Sequence, residues 1–340
     1  MNTNHTETVL TRKDPFNRLF TKIFDALPPS TRGHVVAVVG EFLGTIVFLT
    51  LAFAGVETAS ASSNGNQGLG VSTTAKPHTS AQLLYTALVV GFSLAVTAWT
   101  FFRISGGLFN PVISFGMALI GAITWVRCVL LIVAQSAATI AASYIVYALF
   151  SGGLNVGTEL GGGTTIAQGI VIEMILTAQL AFTIFVLAAE EHAGTCLAPI
   201  GIGLSLFVGE LIGAFWTGGS MNPIRSLAPC IVNRSFPEYL WIYFVGPIAG
   251  VVLAVLVYKL VVALEYEIAD DQDPMPELIL PIVRNGRKPS SIIPIASAGP
   301  PTPEKQVQEP AKTHKKSVSF GNGQPSGDIE NPVLYESHTD

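Results

Sequence analysis

This sequence of 340 residues is short of charge: Asp, Glu, Lys and Arg together make up 12% of it, while 49% is hydrophobic. A soluble domain carries about a quarter charged residues. With a mean hydropathy of +0.52, the balance predicts a chain that crosses a membrane several times. A net charge of −5 is mild and singles out neither nucleic acid nor an acidic substrate as a partner. Cysteine is scarce as well. Cys128, Cys196 and Cys230 lie in or beside apolar segments without C-x-x-C spacing, which argues against a disulfide framework or a metal site. No cofactor is expected. No nucleophile–base pair or phosphate-binding loop stands out, so enzyme function is not expected either. The opening stretch is polar and mixed and lacks the charged and apolar regions of a cleaved leader.

What the chain does have is apolar length. Six stretches reach the roughly 20 residues that a bilayer-spanning helix needs: 35–56, 81–102, 128–150, 166–189, 197–216 and 239–262. Two shorter apolar pieces, 110–121 and 222–232, are about half a span each and open on Asn-Pro. They read as re-entrant half-helices: proline suits the first helical position and asparagine the cap before it. The dipeptide alone is not the signal, since Asn331-Pro332 recurs in the polar tail. The expected fold is an all-α membrane protein of six transmembrane helices and two half-helices.

Basic residues set the orientation. Arg12, Lys13, Arg18, Lys22 and Arg32 precede the first span, and seven Lys or Arg residues follow 264. The connection 57–80 has only Lys76, and 151–165 has none. Both termini are therefore expected in the cytoplasm. Residues 1–33 and 264–340 read as tails, the latter disordered, around a channel-like unit at 34–263. In the C-terminal tail, Ser317 and Ser319 beside lysines are candidate phosphorylation sites, although an ordinary solvated tail has the same composition.

The unit repeats at about 34–150 and 166–263. Glu41 and Thr45 match Glu173 and Thr177; Gln135 follows Asn110, and Pro247 follows Asn222, by 25 residues. Three spans per repeat invert the second copy, an arrangement that places a solute pathway at mid-membrane. The two half-helices would then meet N-terminus to N-terminus. Asn110 and Asn222 would offer amide donors in a positive field, which suits neutral solutes and repels cations and protons. Glu41 and Glu173 are read as structural acids that accept N–H bonds from the re-entrant loops; the other reading is a proton relay.

The motifs "GEFLGT", "ISGGLFNPVISF", "VAQ", "GLSLFVGE", "TGGSMNPIRSLAP" and "WIYFVGPIAG" resemble, in order, those of the aquaporin (major intrinsic protein) family, which includes the aquaglyceroporins. The resemblance covers about 34–263. The family's twin Asn-Pro-Ala signature here reads Asn110-Pro111-Val112 and Asn222-Pro223-Ile224, a departure that bears on how the half-helices pack. The long tails and variant motifs resemble fungal or X-intrinsic-type members. The plasma membrane is the expected location, and the resemblance implies a homotetramer with one pore per chain. It also implies a four-residue filter, which falls here on Val90, Glu210, Gly219 and Arg225. The family's usual aromatic is absent at Val90 and its histidine at Glu210, which implies passage of water, glycerol-sized polyols and hydrogen peroxide. Glu210 in a membrane is a functional group by default, facing Arg225 or else anchoring the connection 151–165. The competing functions are an ion- or proton-coupled transporter using Glu41, Glu173 and Glu210, and a non-conducting structural membrane protein.

Overall fold

The structure is a computed structural model and describes residues 24, 27–65, 79–151, 153–190 and 195–264. Ser317, Ser319 and the tail Asn331-Pro332 lie outside the described residues, as does nearly all of 1–28. Among the described residues eight α-helices of known bounds follow in order: α1 Pro29–Gly65, α2 Ser80–Ser105, α3 Pro111–Leu119, α4 Trp125–Leu149, α5 Ile166–Ile184, α6 Ala198–Trp216, α7 Pro223–Asn233 and α8 Ile242–Ala263. Six of them are long and apolar enough to cross a membrane, and α3 and α7 are the short ones. The described residues contain no strand.

The helix starts follow local chemistry. Thr79, Thr124 and Thr165 cap α2, α4 and α5 by accepting the N–H of the third residue on, and Gln168 completes a capping box with Thr165. α1 shows how the bundle faces lipid. Val36, Val39, Leu43, Val47 and Leu51 form an exposed stripe, while Ala37, Glu41, Thr45, Phe48 and Ala52 are buried. An outward apolar face over a partly polar interior fits a helix whose solvent is hydrocarbon.

Some boundaries differ from the sequence expectation. α1 extends to Gly65 rather than ending near 56, because "ETASASS" continues the helix after the apolar run ends. The fourth span ends at Ala189 as expected, and its last turn, Phe185–Ala189, is π-helical. α8 starts at Ile242 rather than 239, since residues 238–241, just after Pro237, form turns.

Packing repeats the internal symmetry. α1 packs on α2 and α4, and α5 packs on α6 and α8; α2 meets α6, and α3 meets α7, across the two halves. Small residues set the close crossings. A Cβ on Gly250 of α8 would lie 2.9 Å from Thr177 Cβ and 3.0 Å from Ala178 N, besides meeting the Met174 carbonyl. Backbone cannot retreat as a flexible side chain can, so Gly250→Leu is expected to separate α5 from α8. It should lower the melting temperature of the detergent-solubilised protein by several degrees or abolish the folded species. A parent-like melt would contradict the packing.

Candidate functional site

Each re-entrant loop is pinned by one buried carboxylate. Glu41, with no exposed surface, accepts the N–H of Leu108 at 3.0 Å and of Phe109 at 2.8 Å. It also accepts Ser105 Oγ and Gln135 Nε2, each at 2.8 Å. Glu173, equally buried, accepts the N–H of Ser220 at 2.9 Å and of Met221 at 2.8 Å, and Thr217 Oγ1 at 2.7 Å. Ser105 and Thr217 each stand five residues before their asparagine, so the two sets correspond. Phe109 and Met221 both have φ of 48°, a left-handed conformation that is uncommon for such side chains. Strain of this kind persists only where the surroundings hold it.

The other end of each strained residue is held by the opposite repeat. Asn110 Nδ2 donates to Met221 O at 2.8 Å, and Asn222 Nδ2 donates to Phe109 O at 3.3 Å. Asn110 Oδ1 accepts the Val112 N–H; Asn222 Oδ1 accepts those of Ile224 and Arg225. Both asparagines therefore cap a half-helix and clasp the facing loop. Each amide has two hydrogens, so one on each remains for a solute. Pro111 and Pro223 occupy the first helical positions, and Val112 and Ile224 are buried near the α3–α7 contact. The N-termini of α3 and α7 converge here, and with them the positive ends of two helix dipoles.

A narrow cavity passes this point. Its apolar lining includes Phe48, Leu94, Leu180, Ile184 and Leu206; its polar lining includes Asn110, Ser220, Asn222, Glu210 and Arg225. Val90 and Phe53 also line it. Gly219 is buried but is not part of the lining; it packs against the Glu210 carboxyl group, where a Cβ would collide with Oε2. Glu210 thus faces the cavity and does not anchor the connection 151–165. Its Oε2 has no hydrogen-bond partner, and no ion pair joins it to Arg225 among the described residues. The Arg225 guanidinium lies 5.4 Å from the Phe53 ring centre, and its Nη1 donates to Val156 O at 2.5 Å. No cluster of three or more His, Cys, Asp or Glu occurs among the described residues.

Four participants were not legible as such in the sequence. Phe53 lies within the apolar run of α1 and looks like core. Val156 contributes only a carbonyl. Asn233 donates to Leu154 O at 2.7 Å. Glu57 accepts the Asn155 N–H and, at 3.4 Å, Asn155 Nδ2. The one available signal was for Glu57: an acid immediately after the first apolar run.

The family model described as Major intrinsic protein matches residues 30–258. The chain belongs to the major intrinsic protein family. It is 55% identical over 263 residues to Aquaporin-5 of Botryotinia fuckeliana, covering 77% of this chain and 69% of that one. Aquaporin-7 of the same fungus is 55% identical over 240 residues, 71% of this chain and 52% of its own. Probable aquaporin-3 of Gibberella zeae is 45% identical over 240 residues, 70% and 81% of the two chains. The chain therefore spans about two thirds of the first of these relatives and about half of the second. Among solved structures, the aquaglyceroporin from Plasmodium falciparum matches with a TM-score of 0.57 at 19% identity, over 69% of this chain and 99% of that one. That likeness is one of fold. This major intrinsic protein is thus an integral multi-pass membrane protein of the aquaporin channel type.

Proposed function

We propose that the chain is a passive channel for water and small neutral solutes, glycerol-sized polyols and hydrogen peroxide among them, that excludes ions and protons. The observation that carries this reading is the pair Asn110 and Asn222, which cap opposed half-helices and line one cavity together with Arg225. A solute moving through meets amide donors on one side and an apolar wall on the other. It exchanges hydrogen bonds one at a time and is never held tightly. Cations meet two helix N-termini and a guanidinium. Val90, Glu210 and Arg225 form the constriction; Gly219 stands against the Glu210 carboxyl group and gives it room, and with the small Val90 this leaves the passage wide enough for a polyol.

Glu41 and Glu173 spend their oxygens on the loops, which supports a structural role over ion coupling. The working unit is residues 34–263, assembled as a homotetramer with one pore per chain in the plasma membrane, both tails cytoplasmic. Purified protein in liposomes tests the reading by stopped-flow with water, glycerol and peroxide in turn. The expected result is flux with a low activation energy, no early saturation and no response to a proton gradient. Flux that follows an imposed proton gradient would identify a coupled transporter instead, and absence of all flux a structural protein.

A further inference from the structure

We propose that Glu57 is a positioning residue for Arg225, acting through the strap Leu154–Thr158. This rests on the reading of Arg225 as a constriction group. Side chains of several elements tie the strap down. Glu57, 6% exposed near the end of α1, accepts both the backbone N–H and the side-chain amide of Asn155. Asn233, the last residue of α7, donates to Leu154 O at 2.7 Å. Thr158 Oγ1 donates to Ser226 Oγ at 2.8 Å. Between these ties stands Val156, 1% exposed, whose carbonyl accepts Arg225 Nη1 at 2.5 Å.

The direction of that carbonyl depends on the peptide planes on either side of it, because φ and ψ are the only soft torsions of the strap. Asn233 and Ser226 both belong to α7, as Arg225 does, so their ties move with the half-helix. Glu57 is the tie from α1. It fixes where the strap stands relative to α1, which also supplies Phe53, the ring beneath the same guanidinium. Arg225 is thereby held between a carbonyl and a ring whose spacing Glu57 sets. A carboxylate suits this place because both oxygens accept; an amide would present a donor to one of the two Asn155 groups.

The test uses the full chain in liposomes and reads the glycerol-to-water permeability ratio. Glu57→Ala is expected to shift the ratio by about threefold, the scale of one lost hydrogen bond, and Glu57→Gln by less. In an Arg225→Val background, Glu57→Ala should add nothing further, since its effect passes through Arg225. A parent-like ratio in folded Glu57→Ala, or an undiminished shift in the Arg225→Val background, would overturn the proposal. If Glu57→Ala gives no folded channel, Glu57→Gln and Asn155→Ala carry the test; Asn155 is exposed, so its truncation is tolerated. A parent-like ratio in both of those also overturns it. Should Arg225→Val alone leave the ratio unchanged, the constriction reading itself fails and the positioning role falls with it. Silent Glu57 variants beside an active Arg225→Val would remove the positioning role alone.

Discussion

Glu173→Ala is expected to leave little or no folded protein. The carboxylate accepts three hydrogen bonds in a place with no exposed surface. Alanine strands the Ser220 and Met221 N–H groups, at about 1–3 kcal/mol each. The void left by the missing side-chain atoms adds about 2 kcal/mol or more. The sum approaches the whole stability of a typical domain, about 5–15 kcal/mol. Met221 compounds the loss, because its φ of 48° depends on the bond that Glu173 accepts and on the one that Asn110 donates. Glu173→Gln keeps one accepting oxygen but turns an NH₂ toward a second donor, so it should fall between the two. The measurement is yield and melting temperature of detergent-solubilised protein. A Glu173→Ala protein that melts like the parent would refute the account of how the second loop is held. The matched variant Glu41→Ala strands four donors in the first repeat and should behave in the same way.

The bilayer made the helices legible in advance, since a span must be long, apolar and internally hydrogen-bonded whatever packs beside it. The Asn-Pro half-helices were legible for a similar reason: capping is local chemistry. What escaped the sequence depends on contacts between segments far apart in the chain. Asn110 reads in isolation as a free donor. In the structure it spends one hydrogen on Met221, 111 residues away. Phe109 and Met221 have no special composition; only their shared place before each asparagine marks them, and their backbone strain appears only once both loops are assembled. Phe53 is hidden inside a hydrophobic run that reads as core. The strap carbonyl of Val156 cannot be read from a side-chain pattern at all. Val90, Glu210 and Arg225 were placed by the resemblance to the family, and they line one cavity, whereas Gly219 acts on that cavity indirectly by giving Glu210 room.

The double variant Val90→Phe, Glu210→His is expected to turn the passage toward water, lowering glycerol permeability relative to water by on the order of tenfold or more, the discrimination that one or two added groups give a tight apolar pocket. Phenylalanine at 90 would add a ring to a cavity already bounded by Phe53. Histidine at 210 would replace a carboxyl group whose Oε2 has no partner with a bulkier, rigid ring. A polyol chain must clear both rings, while water needs neither the width nor the acceptor. Water flux should fall by much less than glycerol flux, and the ratio is the decisive reading because it is independent of how much protein is reconstituted. Val90→Phe alone should produce most of the steric effect. Glu210→His alone tests whether the free carboxylate oxygen itself assists a polyol, in which case glycerol flux falls without a matching loss of water flux. A double variant that conducts water yet keeps the parent ratio would show that the narrowest point lies elsewhere along the cavity. The asparagine pair, where the half-helices meet, would then become the place to look for solute selection.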